Sequence, residues 1–160
     1  MTEAVFLPAE WSDLVISHDV RDWCRYPYPN HPHGCPNYDH ADRCPPRSLM
    51  LDEYFDTAKP VGFVYATFDL AAHVERMRQK HPNWSQRQLR CVLYWQGGAR
   101  SRLKKATIKY MDQKGFPDYT ACPEGMGLNL FRTFHGFGIK LIKDPQDIVY
   151  LINMVGHRRK

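Results

Sequence analysis

"VGFVYATFDLAAHVERMRQKH" occupies residues 61–81 and changes character at Asp69. Residues 61–68 are rich in β-branched and aromatic side chains, which predicts a buried strand. Asp69 suits a helix cap, and Leu70, Val74 and Met77 then recur at i, i+4 and i+7. That spacing predicts a helix over 70–81. A strand running directly into an amphipathic helix means that the chain mixes sheet and helix, and the sum of its elements reads as α+β.

The flanking segments extend the pattern. Upstream, "SLMLDEYFDTA" (48–58) reads as a helix with Leu49 and Tyr54 on one side, stopped by Lys59-Pro60. "SDLVISHDVRD" (12–22) suits either a short helix or a strand. Downstream, Ser85 caps a long helix predicted over 86–115, ended by Gly115. Its apolar stripe opens with Leu89, Val92 and Leu93 and continues through Leu103, Ala106 and Tyr110. Gly97-Gly98 either kinks this helix or lets something approach its backbone closely. "GMGLNLFRTFHGFG" (125–138) reads as a short helix with Leu128, Phe131 and His135 on one face. "IKLI" (139–142) and "DIVYLINMV" (147–155) flank "KDPQD", which predicts a C-terminal β-hairpin. The expected fold is a small mixed sheet with that hairpin, packed by several helices.

A chain of 160 residues suits one domain, and 43% hydrophobic with 24% charged residues is an ordinary globular composition. The formal charge of +5 leans toward an anionic partner. No run approaches the apolar length of a membrane span, and "MTEAVFLPAEW" lacks the basic start of an export signal. Five cysteines in that setting imply a reducing, cytoplasmic compartment, where clustered thiols serve as metal ligands or reactive groups.

Three of those thiols fall in "WCRYPYPNHPHGCPNYDHADRCPP" (23–46), which holds three cysteines, three histidines and six prolines. From Pro27 to Pro46 the prolines disfavour regular structure, so a bound metal is expected to order this loop. Cys24, Cys35 and Cys44 are separated by ten and eight residues, which matches neither a zinc ribbon nor a bacterial ferredoxin run. Cys35, Cys44 and Cys122 each precede a proline, and a Cys-Pro pair closes a common ferredoxin run. Zinc is the alternative, because His31, His33 and His40 stand beside the thiols. The three loop cysteines are the candidate ligands under either reading.

The segment resembles the "KCR…GCPNY…CPP" array of an uncharacterised family of small predicted metal-binding proteins, with an insertion between the first two cysteines. "CPEGMGLNLFRTFHGFGIKLI" is similar to that family's closing motif, of the form P-x-E-A-x-G-I-x-V-x-x-T-x-x-x-A-G. The resemblance implies an iron–sulfur centre, a 4Fe-4S cluster being the expectation, with Cys24, Cys35 and Cys44 as matching ligands. The family's further cysteine-rich cluster has no counterpart here, since only Cys91 and Cys122 remain. A single centre follows. If three thiolates hold it, one iron is open to a small anionic or nucleotide-like substrate. If Cys122 closes it, the centre serves electron transfer or structure. Cys91, inside a predicted apolar stripe, reads as a small buried hydrophobe.

Residues 87–114 carry eight cations, Arg87, Arg90, Arg100, Arg102, Lys104, Lys105, Lys109 and Lys114, opposed by Asp112 alone. This basic helix is either a solvated face or a patch for a phosphate-bearing ligand, and it supports a second function, a zinc-stabilised nucleic-acid-binding module. Tyr94 and Trp95 suit either the core or base stacking. Glu124 and His135 are candidate proton-transfer groups. There is no P-loop, no dinucleotide fingerprint and no H-E-x-x-H motif.

Overall fold

The computed structural model describes residues 1–27 and 31–160. Residues 28–30, inside the predicted metal-binding loop, lie outside the described residues. The centre of the fold is strand β2 (Val61–Asp69), which pairs antiparallel with β4 (Ile148–Gly156) from Gly62↔Val155 to Asp69↔Ile148. The short edge strand β1 (Val5–Ala9) pairs with β2, and β3 (Asp118–Thr120) pairs with the end of β4. The order is β1-β2-β4-β3. The fold is α+β, and every pairing in the sheet is antiparallel rather than mixed.

Both faces of the sheet are covered. Val64, Ala66 and Phe68 of β2, with Leu151 and Val155 of β4, pack against helix α3 (Leu70–Lys80) and the long helix α5 (Gln96–Lys114). Val61, Phe63, Ile152 and Met154 form a second core on the other face. Leu51 and Phe55 at helix α2 (Leu51–Tyr54), Phe134 of helix α6 (Leu130–Gly136), and Met126 and Leu128 complete it. A strand buried on both faces has no solvated side, which is why 61–68 reads as an almost continuous apolar run.

The helix predicted over 70–81 forms essentially as read, with the Asp69 carboxylate accepting from the Ala72 N–H at 2.9 Å. The helix predicted over 86–115 does not run unbroken. It divides into α4 (Gln86–Leu89), a 3-10 turn (Val92–Tyr94) and α5. The break follows from Trp95, whose ring is drawn into the core and stacks on Phe68 at 4.4 Å and 7°. Val92 and Leu93, expected in the apolar stripe, are exposed. Gly97-Gly98 falls in the first turn of α5, so it kinks nothing. Cys91 is partly exposed beside the 3-10 turn, not a buried hydrophobe.

Other boundaries move for similar reasons. The helix expected over 48–58 is cut to α2, because Phe55 turns extended and bridges Arg158 while Asp56 N–H donates to His157 O at 2.7 Å. Met50, Leu51 and Phe55 are buried there and Leu49 is exposed. In 12–22 a 3-10 turn (Trp11–Asp13) precedes helix α1 (Asp19–Asp22). The expected C-terminal hairpin is absent among the described residues. Ile139 N–H donates to Phe134 O at 2.9 Å, so this segment finishes α6 instead of pairing with β4. Ile139 and Leu141 pack on the second core. The inward face of α6 is Thr133 and Phe134, whereas Phe131 and His135 lie outside.

A buried polar link ties α5 to the sheet. Thr107 Oγ1 donates to Leu103 O at 2.7 Å and accepts from Asn153 Nδ2 at 3.0 Å. Replacing Thr107 with Val keeps the shape and strands a buried amide, at a cost of about 1–3 kcal/mol. Urea unfolding of Thr107→Val should show that loss, and unchanged stability would mean the amide finds another partner.

Candidate metal centre

The site draws on three stretches of chain. Cys24 lies in a single 3-10 turn, Trp23–Arg25, that continues directly from α1. Its carbonyl accepts the Cys35 N–H at 2.6 Å, so these two thiols are held by a backbone hydrogen bond across residues far apart in sequence. Gly34 makes that approach possible. Its φ is +86°, and a Cβ there would fall on the Cys24 carbonyl and 2.8 Å from Arg25 Cα.

Cys44 is placed by a chain of small turns. The Asn37 carbonyl accepts from His40 and Ala41, the Ala41 carbonyl accepts from Cys44 at 3.0 Å, and Asp39 N–H donates to Pro45 O at 2.7 Å. The expectation that little but a metal orders this segment is therefore corrected. Backbone turns give much of it a defined path, although its prolines keep it out of helix and sheet.

Cys122 arrives from the far end of the sequence. It follows β3 and opens the turn Cys122–Gly127, which packs directly on residues 43–48. Ser48 Oγ donates to Gly125 O at 2.8 Å in a buried contact. A Cβ on Gly125 would stand 3.0 Å from Cys122 Sγ and 3.3 Å from Pro45 Cδ. The Arg21 guanidinium donates to Pro46 O at 3.0 Å and Ser48 O at 2.5 Å, and Ser17 N–H to Gly127 O at 2.8 Å. Gly34 and Gly125 were missed in the sequence, where their signal is a glycine directly before Cys35 and a glycine-rich stretch after Cys122. Arg21 and Ser48 carried no signal in the sequence.

Four thiols and one carboxylate act on one another here. Burial pushes the Cys24 thiol up, and Cys35, Cys44 and Glu124 push it the same way. Cys122 is pushed up to about 12, first by burial and then by Glu124, with Cys44 and Cys24 adding to it and a Gly125 backbone hydrogen bond opposing. Burial also raises the Glu124 carboxyl, against the pull of Arg100 and a hydrogen bond with Cys122. Cys91 is not among the charges acting on Cys24 or Cys122. Among the described residues, no three His, Cys, Asp or Glu side chains form a group able to hold a metal ion as they stand. The thiols are neighbours rather than a finished coordination sphere.

The other candidates lie elsewhere. His33 and His40 are exposed and His31 is partly buried. His135 is on the outer side of α6. Arg102, Lys104, Lys105, Lys109 and Lys114 are exposed along α5, whereas Arg90 is partly buried and pairs with Asp144 at 3.2 Å. Trp95 is core, while Tyr94 stays 56% exposed.

A cavity of about 210 Å³ adjoins Glu124. Because β3 is short, residues 148–153 of β4 have no strand partner on that side among the described residues, and the cavity lies along this edge. Leu130, Phe131, Leu141 and Ile148 make it mostly apolar, with Arg100 and Glu124 as its charged groups. No described helix is long and apolar enough to cross a membrane. Comparison with protein-family models, curated proteins and solved structures finds no match for this chain.

The raised Cys122 pKa fixes the sign of a pH effect in metal-free protein. A thiol held neutral by the fold stabilises it below the ordinary thiol pKa, and that contribution is lost as pH rises toward about 12. Wild type should lose more stability than Cys122→Ala between about pH 9 and pH 12. At pH 8, iodoacetamide followed by peptide mapping should label Cys122 later than Cys91. Early labelling of Cys122 would contradict its burial beside Glu124.

Proposed function

We propose that this chain holds one iron–sulfur cluster, of the 4Fe-4S type, on Cys24, Cys35 and Cys44, with Cys122 as the fourth thiolate. The observation that carries the reading is the packing of three separate stretches that hold four of the five cysteines: Cys35 N–H donates to Cys24 O, and the turn after Cys122 lies against Pro45 and Ser48. Deprotonated together without a cation, these groups repel one another in a partly buried place. A metal centre removes that repulsion, and its uptake releases their protons. The resemblance of the cysteine array to the predicted metal-binding family supports the same assignment. Such a cluster supplies one-electron chemistry.

The protein's own groups define the rest. Gly34 and Gly125 let their backbones close on the thiols. Glu124, its carboxyl pushed up by burial, stands beside Cys122 and at the edge of the cavity. Arg100 attracts an anionic group to the same edge. The cavity therefore suits a small, mostly apolar molecule with one anionic group. Zinc stabilisation of a nucleic-acid-binding module is the second reading, favoured by the exposed cations along α5.

Anaerobic reconstitution with ferrous iron and sulfide should give a brown protein with about four iron atoms per chain, bleached by dithionite. Cys24→Ser, Cys35→Ser and Cys44→Ser should each lose the metal, and Cys91→Ser should keep it. Gly34→Ala, which removes no donor, should also lose metal, because its Cβ forces residues 24 and 35 apart. Full iron in Cys44→Ser sinks the assignment. A colourless protein with about one zinc per chain favours the second reading, which then requires nucleic-acid affinity that falls steeply with salt.

A further inference from the structure

We propose that the first turn of α5 is a separate site for the phosphate group of a phosphate monoester, such as a mononucleotide. The inference does not rest on the metal assignment. α5 is 19 residues long, and its N-cap residue Trp95 makes no side-chain cap. The N–H groups of Gln96, Gly97 and Gly98 have no acceptor within the helix, and the helix dipole adds positive potential there.

Two adjacent glycines occupy that turn without a packing reason. Among the described residues, a Cβ at Gly97 would meet nothing within 4 Å, and one at Gly98 only Arg102 Nη1 at 3.6 Å. Neither has the positive φ that calls for glycine. Glycine is among the poorest helix formers, so the fold alone favours alanine at both positions. What glycine provides is bare backbone that an oxyanion can reach.

The surroundings match an anion. The turn borders a cavity of about 270 Å³ lined by His73, Arg76, Tyr94 and Arg102, with no carboxylate in its wall among the described residues. Arg76 and Arg102 form no ion pair among the described residues. His73 is the independent sign of a ligand. It is only 6% exposed, and its Nε2 has no hydrogen-bond partner among the described residues. His73 lines the same cavity, and a buried nitrogen left unpaired is costly unless something else meets it. Beyond the glycines, Tyr94 is 56% exposed and stands 5.2 Å from Trp84, giving an aromatic ledge for the organic part of the ligand.

Isothermal titration calorimetry of the protein as purified, at low salt, tests this with inorganic phosphate, adenosine monophosphate and adenosine. Phosphate and the monophosphate should bind, the monophosphate more tightly, and adenosine should not. Arg102→Gln should weaken both by about tenfold or more. Gly97→Ala and Gly98→Ala should weaken binding while raising the thermal midpoint, a combination that a damaged fold does not produce. His73→Phe should likewise bind phosphate less well in a protein at least as stable. Absence of phosphate and monophosphate binding at millimolar concentration overturns the proposal. So does wild-type affinity in both Arg102→Gln and Gly98→Ala, or adenosine binding as tightly as its monophosphate. Equal affinity for phosphate and monophosphate overturns the aromatic ledge and supports the anion site.

Discussion

Antiparallel pairing of β2 with β4 is the constraint on which the rest of the structure depends. The pairing aligns Val64 with Asn153 and Phe63 with Met154, so neighbouring residues feed opposite cores. A slip of one residue would exchange those sets between the faces and strand Asn153 away from Thr107. Burying Phe63 alone is worth about 1.5–3 kcal/mol, and it touches both Phe134 and Phe137. The strand thus decides where α5 lies on one side and where α6 and the turn at 124–126 lie on the other.

That placement leads to the thiols. Met126 and Leu128 are anchored in the second core, and the turn just before them carries Cys122 and Glu124. Ile16 bridges Leu128, which brings α1 and Cys24 to the same end of the molecule. The loop cysteines are then closed in by short-range devices, a glycine against a carbonyl and a serine across to Gly125. The core sets the position and the small residues set the approach. α5 takes part at both proposed sites, with Arg100 at the cavity beside Glu124 and Gly97-Gly98 at the bare turn.

Much of this was legible locally. Residues 61–81 carried their strand and helix because a buried strand and an amphipathic helix each advertise themselves by the spacing of apolar side chains. The thiols of 23–46 stood out by composition, and the Cys-Pro pairs singled out Cys122 with them. The errors have a common cause. Trp95, Phe55 and Ile139 each sit in locally plausible helix or strand, and each is claimed by a partner distant in sequence. Trp95 goes to Phe68, Phe55 to Arg158 and Ile139 to the end of α6. The edge strand β1 is not legible in the sequence, since Pro8 weakens a strand pattern that is tolerated only at an edge.

The sequence by itself determined the α+β class, the central strand and helix, and which cysteines were candidates, because those depend on residue type and on periodicity within about twenty positions. Only the tertiary structure decided that the turn carrying Cys122 and Glu124 packs on Pro45 and Ser48, and that Gly97-Gly98 opens a helix instead of bending one. Both outcomes depend on contacts between segments tens of residues apart, and such contacts leave no local spacing to read. A thiol's neighbours, and the pKa they impose, are set by burial and by charges that the chain brings together only when it folds.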